Sequence, residues 1–181
     1  MEEKVLSINL PVQISELATA IIFGAVSILS FFIPFALGNP QWIVGVVVNA
    51  FLFSAAIFLP KKYYLPIVIL PSLGVLVRGL VFGPLTPFLV YFLPFIWLGN
   101  IILVLVFKSL IRANKGYIIP SVVASIAKFI ALFLIAKLYF DLHLVPKLFL
   151  QSMGVFQLLT ALAGALISFM IWKIYLKKVK N

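Results

Sequence analysis

Lys128 stands inside a long apolar run, with Ser121 and Ser125 seven and three positions before it. On a helix those three side chains share one face. A central lysine or arginine in a spanning helix costs about 2.5–3.5 kcal/mol to insert, so a cation at that depth needs something to bind. Arg78 lies in a second apolar run, and Trp97 and Asn100, three apart, share a face in a third. Gln157 and Thr160 repeat that spacing in a fourth, with Gln151 and Ser152 just before them. The chemistry such groups suit is recognition of a small solute. Lys128 and Arg78 would hold an anionic group, Trp97 would stack on an apolar or aromatic portion, and Asn100 and Gln157 would read polar edges.

Each of these residues also has a plainer use. Lys128 can snorkel along its aliphatic stem to the interface, and Arg78 can neutralise Asp141 or reach headgroups. Trp97 and Asn100 can serve helix packing, and Asn49 can join helices by a hydrogen bond. Trp42, Trp172, Tyr63, Tyr64 and Tyr117 read as interfacial belt residues.

Catalytic chemistry has little to work with. The titratable acids are Glu2, Glu3, Glu16 and Asp141, the only histidine is His143, and there is no cysteine. A metal centre needs three or four convergent ligands, and His143 with Asp141 supplies two. No pair of groups with opposed tuning can be named for acid–base work, and no phosphate loop of the Gly-x-x-x-x-Gly-Lys type is present. The expectation is a protein that is not an enzyme and carries neither metal nor cofactor. A net charge of +10 does not imply nucleic acid, because most of the basic residues flank apolar runs instead of forming a soluble face.

The elements that would position these groups follow from hydropathy. Of 181 residues, 65% are hydrophobic and 10% charged, against about 45–50% and about 25% in soluble domains. A hydrocarbon core about 30 Å thick needs about 20 mostly apolar residues of helix. Six segments qualify, at about 14–37, 42–59, 65–82, 87–107, 117–140 and 148–173. Apolar character all round each segment excludes the alternation of a β-barrel. The fold class is therefore all-α, a single six-helix membrane bundle. Pro66, Pro71, Pro84, Pro87 and Pro94 crowd helices three and four, where kinks or a partly broken third helix are expected. Residues 5–13 are expected along the interface. Lys4, Lys61, Lys62, Lys108, Arg112, Lys115, Lys173, Lys177, Lys178 and Lys180 fall on one side and only Lys137 and Lys147 on the other. By the positive-inside rule both termini are cytoplasmic, in the plasma or inner membrane. Most of the polar groups at depth then lie in the outer half or at the midplane.

Ala20, Gly24 and Ser27 recur at i, i+4 and i+7 on helix one, and Ala161 and Ala165 repeat the spacing on helix six. Small residues so placed admit a second helix closely, inside the bundle or on a docking face for another membrane protein. Six helices, cytoplasmic termini, no ATPase motif and this stripe together resemble the substrate-binding S components of energy-coupling factor transporters. The family's docking motif is Ala-x-x-x-Ala, for which Ala20-x-x-x-Gly24 is the nearest match. The resemblance implies capture of a vitamin-like micronutrient from outside, with a transmembrane coupling protein and two cytoplasmic ATPases as partners and release by toppling in the membrane. It places the site in the outer half, at Trp97, Asn100, Lys128, Gln151 and Gln157. An accessory subunit of a larger membrane complex and an autonomous small carrier are the rival readings. No internal repeat between 14–82 and 87–173 supports the carrier.

Overall fold

Apolar runs become helices in lipid because each backbone N–H and C=O then finds its partner within its own segment. The structure, a computed structural model, describes residues 15–37, 40–79, 86–113 and 115–180. These form α1 (Glu16–Leu37), α2 (Gln41–Phe58), a 3₁₀ turn (Lys61–Tyr63), α3 (Tyr64–Arg78), α4 (Thr86–Arg112), α5 (Ile118–Asp141), α6 (Leu148–Ser152) and α7 (Val155–Lys180). No strand occurs among the described residues. The expected interfacial stretch 5–13 and the expected end of the third helix at 80–82 lie outside them. α1, α2, Pro87–Arg112 of α4, α5 and the stretch Leu148–Lys177 are long and apolar enough to cross a membrane. The regular structure among the described residues is all helical, and the chain is a multi-pass membrane protein.

Two elements differ from expectation. The third segment, read as 65–82, is a helix of 15 residues, about 22 Å long and short of a full span by itself. Gly79 closes it in a left-handed cap at φ 67°, with its N–H bonded back to Val75. The sixth segment, read as one helix over 148–173, is broken at Met153-Gly154 between α6 and α7. A β-carbon on Gly154 would fall 2.3 Å from the Leu150 carbonyl oxygen and 3.0 Å from Phe133 of α5, so the break is packed tightly on its neighbour. Pro71 and Pro94 lie inside α3 and α4 without ending them.

Side-chain contacts give the helix directions. Asn49 meets Thr160 and Ser54 meets Ser168, so α2 and α7 ascend together. Phe23 meets Tyr63 and Arg78 meets Phe35, so α1 and α3 are parallel. Trp97 meets Ser72 while Lys108 meets Tyr64, which sets α4 against α3. Phe92 meets Tyr139 while Phe107 meets Tyr117, which sets α5 against α4. The α1–α2, α3–α4 and α5–α6 connections therefore share one end of the bundle, and the α2–α3 and α4–α5 connections share the other with the end of α7.

α2 and α7 make the most extensive contact. Lipid removes the hydrophobic drive between helices, so close van der Waals packing must hold them. Gly164 permits it: a methyl there would lie 2.7 Å from both the Ala50 nitrogen and the Asn49 β-carbon. Buried apolar residues gather in two clusters. One surrounds Leu52, Phe53, Phe107 and Tyr117 toward the α2–α3 end. The other surrounds Val75, Phe92, Leu132 and Phe149 toward the α1–α2 end, with the Phe92 and Phe149 rings stacked 5.1 Å apart. Beside the second cluster the packing opens.

Candidate functional site

A cavity of about 100 Å³ lies among α2, α3, α4, α5 and the broken α6–α7 segment. Val44, Val75, Leu89, Ile96, Met153 and Phe156 form much of its wall, and Gln41, Trp42 and Gln157 line it toward the α1–α2 end. Its deep polar residues are Asn49, Asn100, Lys128 and Thr160, all buried. That volume takes several waters or a compact solute. The break between α6 and α7 contributes directly, since Ser152, Met153, Phe156 and Gln157 all line the cavity. An unbroken helix would carry those residues on a different line.

Lys128 is the central group. It is 2% exposed, and its Nζ donates to Asn49 Oδ1 at 2.8 Å. Asn49 is oriented by its other bonds: Nδ2 donates to the Gly45 carbonyl at 2.8 Å and to Thr160 Oγ1 at 3.2 Å. Thr160 is fixed in turn, donating to the Phe156 carbonyl at 2.7 Å. The amide of Asn49 therefore turns its oxygen toward the lysine. An ammonium has three N–H donors and Asn49 accepts one of them, so donor capacity remains at the cavity. Among the described residues the one ion pair is Lys137–Asp141 at 2.9 Å, on the exposed end of α5. No carboxylate among the described residues lies within ion-pair distance of Lys128.

Asn100 adds an acceptor. Its Nδ2 donates to the Val68 carbonyl at 3.1 Å, and its buried Oδ1 has no partner among the described residues. An unmatched buried acceptor costs about 1–3 kcal/mol, a cost that a ligand donor or a water in the cavity would remove. Ser121 and Ser125, on the face of Lys128, do not take part. Their hydroxyls donate to the carbonyls of Tyr117 and Ser121 on their own helix.

The other expected positions are placed as follows. Gln157 lines the cavity. Trp97 does not; its indole N–H donates to Ser72 Oγ at 2.7 Å, and Ser72 lines the cavity in its place. Gln151 is exposed on α6 and outside the lining. Arg78 is also outside the lining and donates to the carbonyls of Phe35 and Ala36, supplying partners to the unsatisfied last turn of α1. The alternative in which Arg78 neutralises Asp141 is replaced by the Lys137–Asp141 pair. On α1, Ala20 is exposed, and a β-carbon on Gly24 would meet nothing within 4 Å. Ala20 and Gly24 therefore lie on a side of α1 that the bundle leaves open, whereas the Ser27 hydroxyl oxygen is buried.

Sequence reasoning assigned Asn49 to helix packing and gave Gln41 and Ser72 no role at the site. Their signal was weak. Asn49 and Ser72 are isolated polar residues in apolar segments and Gln41 falls between two such segments, and only the folded chain brings Asn49 to Lys128, a separation of 79 positions. Set beside protein-family models, curated proteins and solved structures, the chain matches none of them.

Proposed function

We propose that this chain is a membrane-embedded binding subunit for a small anionic solute, working in uptake with separate coupling and ATPase subunits. The observation that carries the reading is the Lys128 ammonium, buried at a cavity with neutral partners only. A cation at such depth is costly and tends to mark a substrate path or ligand counter-ion. A carboxylate or phosphate oxygen would supply the missing charge, and a hydroxyl or N–H on the same solute would satisfy Asn100 Oδ1. The apolar wall suits the solute's carbon skeleton, as in most small-molecule pockets.

In this reading the short α3 completes a sixth span together with the residues around it, and both termini are cytoplasmic. The cavity then lies on the outer side, where an uptake subunit must first meet its cargo. Dependence on partners draws support from α1, whose Ala20–Gly24 face is left open by the bundle. An S component of the energy-coupling factor type has this organisation, with its coupling protein docked on such a face.

The test is mass spectrometry of small molecules released from denatured protein after mild purification. The expected result is an acidic metabolite at about one per chain, absent from Lys128→Met. Wild-type protein that is empty after growth in rich medium, or a metabolite retained equally by Lys128→Met, refutes the assignment.

A further inference from the structure

A second cationic site lies at the opposite end of the bundle and is independent of the solute reading. Lys108 of α4 is 2% exposed. Its ammonium donates to the Leu59 carbonyl at 2.8 Å and to the Tyr64 hydroxyl, and it lies 5.0 Å from the centre of the Tyr64 ring. Leu59 is the C-cap of α2, so the lysine serves the negative end of that helix. Lys61 and Arg112 are close enough to repel this ammonium, and both are exposed. Three cations thus converge, and no carboxylate pairs with any of them among the described residues. Glu16, also exposed, forms no ion pair with them.

A groove leads away from this cluster along the seam of α3 and α4. Lys61 and Tyr64 stand at its head, and Leu65, Val68, Ile101, Val104 and Leu105 line the remainder. Lys61 of the 3₁₀ turn and Tyr64, Leu65 and Val68 of α3 recur at i, i+3, i+4 and i+7, the spacing of one helix face, over about 10 Å. Leu65 is 61% and Leu105 41% exposed, so the groove opens sideways to hydrocarbon. A basic head joined to an apolar trough has the shape and charge of the complement to one lipid class.

We propose that the α3–α4 seam is a binding site for an anionic phospholipid. The phosphate would sit against Lys61 and Arg112, with Tyr64 held in place by Lys108, and the upper part of one acyl chain would lie along Leu65, Val68 and Leu105. Free phosphate would use the cations alone and leave the trough unoccupied, so the lipid is the occupant the whole feature fits. Basic pockets between helices at a membrane surface recognise acidic headgroups in this manner.

The experiment reconstitutes the full chain in vesicles carrying spin-labelled phosphatidylglycerol or phosphatidylcholine and compares the motionally restricted fraction of each. Wild-type protein should prefer phosphatidylglycerol, and Lys61→Gln with Arg112→Gln should reduce that preference by about fivefold for each charge removed. Leu105→Trp, which fills the trough and keeps the charges, should also lower it. The control Lys177→Gln, at the exposed end of α7, should not. Equal restriction of both lipids by wild-type protein overturns the proposal, as does a preference unmoved by the double variant. Displacement of the restricted lipid by inorganic phosphate, with Leu105→Trp behaving as wild type, reassigns the cluster to a free anion and also overturns it.

Discussion

Replacing Lys128 by Met separates two accounts of that residue by the sign of the stability change. If the lysine is a strut, its bond to Asn49 Oδ1 at 2.8 Å contributes to folding. A hydrogen bond to a charged group is worth about 1.5–3 kcal/mol, and its loss would lower stability by that much. If it is a ligand-binding cation kept at a cost, the balance reverses. Met retains most of the volume and the desolvated charge disappears, so the replacement is neutral or stabilising. Asn49 Oδ1 loses a donor, but the adjoining cavity of about 100 Å³ has room for a water to replace it. The empty Lys128→Met protein should therefore melt at or above the temperature of empty wild type. Solute retention should move the other way. The ammonium has two donors beyond the one given to Asn49, each worth about 1.5–3 kcal/mol to a charged acceptor. Their loss weakens binding by about 10²–10⁴-fold. Thermal melting in detergent measures the first quantity, and competition against the metabolite recovered from wild type measures the second. A variant that melts well below wild type and keeps the solute refutes the reasoning on both counts.

Three further outcomes follow from other parts of the bundle. Arg78→Met removes the donors to the Phe35 and Ala36 carbonyls, which should cost about 1.5–3 kcal/mol and speed amide exchange at the end of α1; solute retention should hold, and its loss would return Arg78 to the site. Gly164→Ala forces a methyl to 2.7 Å from α2, an overpacking of about 1–3 kcal/mol, and should weaken solute retention because Asn49 moves with that contact; melting and retention both unchanged would show that the two helices can part freely. The chain has no cysteine, so single-cysteine variants report sidedness. Gln151→Cys should react with a membrane-impermeant maleimide on intact cells and Lys62→Cys only after permeabilisation, and the reverse pattern would invert the proposed topology.

The helical class was legible because lipid leaves a spanning chain few alternatives, and a continuous apolar run states both type and approximate length. Bounds for α1, α2 and α5 agree with the apolar segments to within two residues. What hydropathy could not show was a turn of the same composition as its flanks. Met153-Gly154 lies in an apolar segment, and the break there shows only in the folded chain, where Gly154 packs against Phe133 of α5. The short α3 is similar, since Gly79 is one small residue whose cap appears only in its left-handed backbone. For the site, the apolar setting of Lys128, Asn100 and Gln157 drew attention to them, and all three line one cavity. Trp97 was equally conspicuous in the sequence, but its polar atom faces Ser72.

Arg78, Lys108 and Lys128 are the same signal in the sequence, a cation in or at the edge of an apolar run. Their partners make them different. Arg78 meets the last carbonyls of α1 and Lys108 the C-cap of α2. Each serves a helix terminus whose orphan acceptors and negative dipole call for a cation. Removing Arg78 takes the side-chain donor from the Phe35 and Ala36 carbonyls, and removing Lys108 leaves the Leu59 carbonyl with the Tyr64 hydroxyl at 3.3 Å. Lys128 meets no helix terminus. Its partner is a mid-helix amide, Asn49, already held by Gly45 and Thr160, and the remaining space beside it is a cavity. No feature of the bundle's own architecture needs a charge there, since Gly164 already brings α2 and α7 together. A helix terminus supplies the acceptors for the first two cations, whereas the third has one amide oxygen beside a cavity, which is the physical ground for looking to a ligand there and not at Arg78.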